Sequence, residues 1–476
     1  MPKTRPKPQR QGWPAADCLG LGRPMWAGQR LAVALALVLW GLTGSAWAQY
    51  VPYGPFEVYP AMQHREGPGF KFFSDGLVVH PGLAAELGYD SNMLMAAQAG
   101  QAGVLRLRAH VDLATRPVQR LDPDSRPFLK FRFGAAVEYR QFFSLDPRIG
   151  NPQQVNAQSD ADLRIKENDP LSLRLVNQFL VTNDARNLEV ANTQTFAPRI
   201  YERLSLLGMY RPFGGPLEIG LSESIRLDHY VQSELSRGRS FENQLALWGS
   251  YRLLPQTLIK LEVRSSWISF YGDGAVIPNS APLRITAGIQ SLFLPWLGGS
   301  VYLGYGNSLH YGLSDTSTLV GNLADARYSD FVGGLEARLL LLANMKLRLG
   351  WARDFFDSIY ATYLRDDRIY LAYEHNPWRS LELAASFETY LRVYGPLVPP
   401  ATLYYRAYKN GAQSRADVLF ALNVEARYRP LSWLSAGISY SLLADKTDFG
   451  FVDGAGTRTD AGFVKHVVLF KADLAY

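Results

Sequence analysis

Cysteine and histidine, on which many metal sites and catalytic centres depend, are scarce in this chain. Its 476 residues include one cysteine, Cys18, and seven histidines. Disulfides, cysteine metal sites and thiol catalysis are therefore excluded for all that follows Cys18. The sequence also contains no phosphate-binding glycine loop, no His-Glu-x-x-His zinc motif and no Gly-x-Ser-x-Gly nucleophile elbow. We predict no catalytic residues, no metal and no cofactor, and we predict that the chain is not an enzyme.

Long apolar runs are equally rare, and the one exception lies near the start of the chain. Residues 31–42 are entirely apolar, two arginines precede them, and Ala46-Trp47-Ala48 follows with the pattern of a cleavage site. The run is too short to span a membrane as a helix. We therefore expect residues 1–48 to be a secretory signal peptide, with Met25 as an alternative start of translation.

An excess of one charge is also missing once this segment is set aside. The chain has a formal net charge of +6, and residues 1–48 hold six basic residues against a single acidic one. The remainder is therefore nearly neutral, so the basic character of the whole chain does not indicate a nucleic-acid partner.

In place of these features the sequence has a repeated hairpin pattern. Segments of alternating apolar and polar residues are joined by short turns, such as Leu254-Pro255-Gln256, Leu294-Pro295-Trp296 and Asn376-Pro377-Trp378. The units recur roughly every 35 to 50 residues, which is the spacing of a regular supersecondary array. A β-propeller is the alternative, but its blades pack four short strands into that period, where this sequence has two long segments. Because strand side chains alternate between faces, one face must meet an apolar medium and the other a polar one.

The fold class predicted from this pattern is all-β, a transmembrane antiparallel up-and-down β-barrel of about 18 strands. Residues 49–76 are expected to be a periplasmic N-terminal segment, and residues 77–476 the outer-membrane barrel. Short and long connections alternate, except that 116–127 is too long for a tight turn. The expected strands are 77–89, 103–114, 128–142, 156–167, 171–182, 199–211, 217–230, 239–252, 256–270, 282–293, 298–311, 327–342, 345–357, 363–374, 380–392, 414–428, 433–445 and 463–476.

Charged residues share one row of each strand, and the cost of burying charge in lipid decides where that row points. A Lys or Arg on the lipid face at mid-bilayer costs about 2–4 kcal/mol, so the charged rows must face inward. Basic residues somewhat outnumber acidic ones, which leaves two hypotheses, a pore that favours anions or a lumen of mutually neutralised charges. The residues expected to line the lumen are Arg106, Arg108, Lys130, Arg132, Arg140, Lys260, Arg264, Lys346, Arg348, Arg427, Glu336 and Glu425. Inward aromatic residues at Trp248, Tyr370 and Tyr390 are positioned to stack on sugar rings.

Two segments resemble known outer-membrane proteins. The last segment alternates apolar and polar residues up to Tyr476, and it resembles the C-terminal strand of bacterial outer-membrane barrels. Residues 76–92, which end in Gly88-Tyr89-Asp90-Ser91-Asn92, resemble the opening strand of outer-membrane porins found with exopolysaccharide and exosortase loci. The resemblance implies a multi-pass protein of the Gram-negative outer membrane, surrounded by its lipid, that passes a secreted polysaccharide with a periplasmic export partner.

The function predicted from the sequence is therefore an outer-membrane porin or channel, with a small solute or an exported polysaccharide as cargo. A barrel of about eighteen strands is wide enough for an aqueous lumen. Two alternatives stay open. The barrel could be closed and act through its long loops as an adhesion or structural platform. The pairs Asp228-His229 and Asp366-Asp367 also resemble the inventory of the omptin outer-membrane proteases, in which carboxylates and an imidazole activate water.

Overall fold

The computed structural model describes residues 69–72, 76–115, 128–149, 151–167, 169–183, 198–232, 236, 238–272, 278–311, 327–342, 344–358, 361–396, 415–447, 449–452 and 458–476. All of them belong to one compact unit, Val51–Tyr476. The predicted signal peptide, most of the predicted periplasmic segment and the connection 116–127 lie outside the described residues. No helix in the described part of the chain is both long and apolar enough to cross a membrane.

Eighteen long strands make up the wall in the part of the chain that the structure describes. They are β1 (Leu77–Asp90), β2 (Ala102–Thr115), β3 (Leu129–Phe143), β4 (Gln153–Ile165), β5 (Leu171–Thr182), β6 (Arg199–Tyr210), β7 (Leu217–Tyr230), β8 (Ser240–Leu254), β9 (Thr257–Phe270), β10 (Leu283–Leu294), β11 (Leu297–Asn307), β12 (Ser329–Leu342), β13 (Met345–Phe356), β14 (Leu364–Trp378), β15 (Leu381–Tyr394), β16 (Ala416–Leu431), β17 (Leu434–Thr447) and β18 (Phe463–Ala475).

Each strand pairs antiparallel with its neighbour in the sequence, and the last pairs with the first. Partners between β1 and β18 run from Gly82 and Ala475 to Asp90 and Val467. The sheet is therefore a closed barrel, which removes the exposed edges of an open sheet. The predicted fold class is confirmed, and every expected strand is present, with ends that differ by at most four residues.

The two ends of the barrel differ in their connections. Pairs such as β8 and β9, or β16 and β17, are joined by two residues, and we call that side the short-turn end. The other side, where long connections follow β5, β11, β15 and β17, is the long-loop end. At the short-turn end the backbone N–H of Tyr476 donates to the carbonyl of Pro81 at 3.0 Å, and its ring lies 4.8 Å from that of Phe70.

The outer surface is apolar because the alternating row that faces away from the barrel axis consists mostly of large aliphatic and aromatic side chains. Leu83 and Leu87 on β1 are each 60% exposed, whereas Arg284 and Asp354 form an ion pair of 2.8 Å between β10 and β13. Two strands separate that pair, so only the concave inner face can bring the two side chains together. The charged rows therefore face the lumen.

Candidate functional site

The lumen is the candidate functional site, and the predicted lining residues all lie on inward rows. The ion pairs given next include eleven of the twelve, and the twelfth, Arg108, stands opposite Glu138 in the register of β2 and β3. The pairs are Arg106–Glu86, Lys130–Glu167, Arg132–Asp112, Arg140–Glu138, Lys260–Glu262, Arg264–Glu262, Lys346–Glu374, Arg348–Glu374, Arg427–Glu425, Lys471–Glu425 and Arg338–Glu336. Each cation of these pairs therefore has a carboxylate within 4.0 Å, and Glu262, Glu374 and Glu425 each serve two cations.

A network at the short-turn end of β3 to β5 illustrates how inward cations pair with carboxylates. Arg164 and Arg174 both donate to the carboxylate of Asp162, with N–O distances of 2.8 and 2.9 Å. Glu167, in the turn after β4, accepts from Arg164 at 2.6 Å and from Lys130 at 2.5 Å. Burial alone would raise the pKa of Glu167, but the hydrogen bonds from these two cations outweigh it and lower that pKa. These two cations therefore keep Glu167 ionised and paired.

Several inward aromatic rings lie directly over glycines of the neighbouring strand. A Cβ added to Gly220 would lie 2.1 Å from the Trp248 ring, and one added to Gly350 would lie 2.5 Å from Cζ of Tyr370. Tyr302 covers Gly334 in the same way, at 2.7 Å from such a Cβ. The missing side chain lets each ring lie close against the wall, an arrangement that also protects the strand backbone.

Charged groups hold the aromatic rings on β14 and β15. The guanidinium of Arg368 lies 4.8 Å from the ring centroid of Tyr370 and 5.8 Å from that of Tyr390. Arg368 also donates two hydrogen bonds to Glu388, at 2.8 and 3.1 Å. The Tyr370 hydroxyl donates to Glu336 on β12 at 2.5 Å, and that contact spans β13 across the inner face. Both ends of the Tyr370 side chain are therefore constrained.

Two of these rings, Tyr302 and Tyr390, lie on one rising path along the inner wall. Partners on successive strands form rows, and a row climbs because barrel strands tilt by about 35–45° from the axis. One such row runs from Lys260 on β9 through Tyr302 and Arg368 to Tyr390 on β15. Lys260 lies in the short-turn half of its strand and Tyr390 in the long-loop half of its own. We call the residues Trp248, Tyr302, Tyr370, Tyr390 and Arg368 the aromatic track.

The lumen is most filled toward the long-loop end. Arg199 and Asp228 form an ion pair there at 3.2 Å and are almost completely buried, as are Arg415 and Asp417 at 2.7 Å. The ring of Tyr328, which directly precedes β12, stacks on that of Phe355 on β13, with centroids 4.4 Å apart. In the described residues, side chains at this end of the barrel are therefore packed against one another and buried.

The protease hypothesis is wrong in its geometry, because adjacent residues of a strand face opposite sides. Asp228 points into the barrel and pairs with Arg199, while His229 points outward, where its Nδ1 lies 3.0 Å from the Tyr271 hydroxyl. Asp366 likewise pairs with Arg392 inside, and Asp367 pairs with Arg353 on the outside. The imidazole is therefore not oriented by the neighbouring carboxylate, and the two dipeptides do not assemble a catalytic group.

Sequence reasoning missed Arg284, Arg368 and Tyr302 among the inward residues. The alternation of the sequence could have placed them on the inner face, because each lies an even number of positions from charged or glycine residues of its own strand. It did not reveal which of them meet, because that depends on register across several strands. Within the described residues, no group of three or more His, Cys, Asp or Glu side chains is arranged to hold a metal ion.

Three solved structures match most of this chain at low similarity. OpdK of Pseudomonas aeruginosa, with vanillate, is 9% identical with a TM-score of 0.41, covering 84% of this chain and 99% of its own. OccK2 (OpdF) of the same organism, in complex with glucuronate, is 10% identical with a TM-score of 0.42, covering 85% and 100%. OccAB4 of Acinetobacter baumannii is 9% identical with a TM-score of 0.42, covering 84% and 98%. No protein-family model and no curated protein matches the sequence. At these values the likenesses carry no argument about function, which must rest on this chain's own residues.

Proposed function

We propose that this chain is a channel of the Gram-negative outer membrane. The apolar outer rows suit contact with lipid, and the wall satisfies all of its strand pairing by closure, as a bilayer demands. Aromatic residues accompany both ends of the outer surface, with Trp378 and Trp433 at the short-turn end and Trp267 at the long-loop end. Amphipathic rings at those levels match the headgroup regions of a bilayer. The charged inner rows then surround an aqueous path.

The cargo we propose is a carbohydrate, and the aromatic track is the observation that carries this proposal. Rings that lie against the wall over Gly220, Gly334 and Gly350 offer a face on which a sugar ring can stack. The paired charges beside them offer hydrogen-bond donors and acceptors to a sugar. An anion channel would instead need cations without partners. Free anions are therefore the less suitable cargo.

A secreted polysaccharide is the finer form of this proposal. The track extends across eight strands, from Trp248 on β8 to Tyr390 on β15, so an extended polymer can touch several platforms in turn, whereas a small solute meets one. Passage requires sites that bind weakly and repeatedly, which a series of similar stacking surfaces supplies. The resemblance of residues 76–92 to porins found with exopolysaccharide loci points in the same direction.

Current recording from the refolded protein in a planar lipid bilayer tests both the channel function and the carbohydrate cargo. We expect ion conductance with little anion preference, and we expect neutral oligosaccharides to interrupt the current. Tyr370→Ala and Trp248→Ala should weaken that interruption while conductance persists. Phe387→Ala, which removes an outward aromatic residue on β15, is the matched control and should change neither. No conductance from folded protein would refute the channel, and unaltered sugar block in both lumen variants would refute the carbohydrate proposal.

A further inference from the structure

The connection between β1 and β2, residues 91–101, lies inside the mouth of the barrel, and we call it the first loop. Asn92 organises it and is only 1% exposed. Its side-chain amide donates to the carbonyl of Ala96 at 2.8 Å and to that of Val464 on β18 at 3.0 Å, and its backbone N–H donates to Asp90 at 3.0 Å. Lys465 pairs with the other oxygen of Asp90 at 2.9 Å. These bonds turn the chain inward across the closure between the first and last strands.

Three residues of the first loop then cover the inner wall on both sides of that closure. Met93 is buried in an apolar cluster with inward residues of β2, β3 and β18, and Leu94 packs against the same cluster. Met95 packs on a second cluster, formed by inward residues of β15 to β18 that include Tyr390 and Leu419. The first loop therefore packs on the cluster that contains Tyr390, the track residue nearest the long-loop end.

The backbone at Met95 shows that this position is enforced. Its φ is 47°, in the left-handed region that is unfavourable for a residue with a side chain. Such a conformation persists only where surrounding contacts determine it. Here the contacts are the Asn92 hydrogen bonds on one side and the apolar cluster beneath Met95 on the other.

A second connection holds the first loop through its described residues 144–149 and 151–152, which we call the second loop. Arg148 donates to the Gln98 side chain at 3.2 Å and to the carbonyl of Ala99 at 3.1 Å. The same guanidinium is held by Asp146, with an N–O distance of 2.6 Å. Ile149 of the second loop belongs to the cluster that buries Met93. The first loop is thus fixed at its base, its middle and its tip.

We propose that the first loop is the constriction that sets the exclusion limit of the channel, with Asn92 as its positioning residue and Met95 at its narrowest point. The inference rests on the proposed channel function. The proposal gives a role to the motif Asp90-Ser91-Asn92, which takes no part in the stacking surfaces. The side-chain amide of Asn92 determines whether residues 93–95 lie across the path. A cargo that reaches Tyr390 from the short-turn end must pass Met95 to leave the barrel at the long-loop end.

Single cysteines test this in a background in which Cys18, the only native cysteine, is replaced by serine. Met95→Cys, treated with a bulky water-soluble methanethiosulfonate, should lose about half or more of its single-channel conductance, since the adduct stands in the path. Leu145→Cys is the control, because that side chain is fully exposed in the second loop. It should react with the same reagent without loss of current.

A second measurement reports the exclusion limit directly. Asn92→Ala should release the first loop, so liposomes that contain this variant should admit neutral oligosaccharides that the unaltered protein excludes. Circular dichroism and the shifted gel mobility of a closed barrel establish that each variant has folded. Current that is unchanged by modification at Met95→Cys, or an unaltered exclusion limit in Asn92→Ala, overturns the constriction while leaving the channel function intact. Folded protein without conductance in every variant overturns both.

Discussion

Replacing Gly350 by alanine tests whether the rings of the lumen lie where they do because a side chain is missing beneath them. A Cβ at Gly350 would lie 2.5 Å from both Cζ and Oη of Tyr370 and 2.7 Å from the carbonyl oxygen of Leu335. These separations are far below van der Waals contact, and the backbone oxygen cannot move without disturbing the sheet. The Tyr370 ring must therefore lift from the wall, and its 2.5 Å hydrogen bond to Glu336 must lengthen or break.

The magnitude follows from two costs. Forcing an extra carbon into a packed site costs about 1–3 kcal/mol. Losing a hydrogen bond to a charged carboxylate costs about 1.5–3 kcal/mol more, and alanine recovers roughly 0.5–1 kcal/mol relative to glycine within a strand. We therefore expect Gly350→Ala to lower the free energy of unfolding by about 1.5–5.5 kcal/mol.

Reversible urea unfolding in phospholipid vesicles, followed by tryptophan fluorescence, measures this difference. The matched control is Gly298→Ala, an inward glycine of β11 at which no atom lies nearer than 3.7 Å to the added Cβ. It should be neutral or slightly stabilising. If both variants unfold at the same urea concentration, the rings are not held by the close approach, and the case for ordered stacking surfaces fails. Oligosaccharide block of the current should weaken in Gly350→Ala alone.

Three further predictions concern charge. Arg392→Met leaves the buried carboxylate of Asp366 without its pair at 2.8 Å and should cost about 3–5 kcal/mol in the same unfolding assay; a loss under 1 kcal/mol would contradict the buried pairing. Glu223→Leu removes an exposed carboxylate from the outward row of β7 and should raise the unfolding midpoint in lipid, whereas a lower midpoint would mean that this surface does not face hydrocarbon. The side-chain hydrogen bond from Arg148 lowers the pKa of Asp146. The Asp146–Arg148 pair, which holds the second loop on the first, is therefore complete above about pH 4 and is lost as the pH falls further. A spin label in the second loop should gain mobility on acidification, and constant mobility down to pH 2 would refute this role of the pair.

The strands and their two faces followed from the sequence because both are local properties. The facing of Lys130 and Arg132 depends only on the alternation of side chains along β3, and the cost of charge in lipid then decides which row is inside. Closure of the sheet into a barrel could be predicted for a similar reason. An apolar row on every strand needs lipid on all sides, and a polar row on every strand needs a shared interior.

What the sequence could not determine is which inward groups meet. Arg284 and Asp354 are seventy positions apart in the chain and pair across two strands, and this contact exists only once curvature is set by closure. The Tyr370 ring lies on Gly350 because the register of β13 and β14 sets them opposite one another. Asn92, whose motif was visible from the start, turns the first loop into the barrel only because the last strand closes beside it. The sequence by itself determined the strands, their faces and the position of charge, since each depends on period two and on solvation. The ion pairs, the aromatic track and the inward fold of the first loop were decided by the tertiary structure, because they depend on register and curvature across many strands.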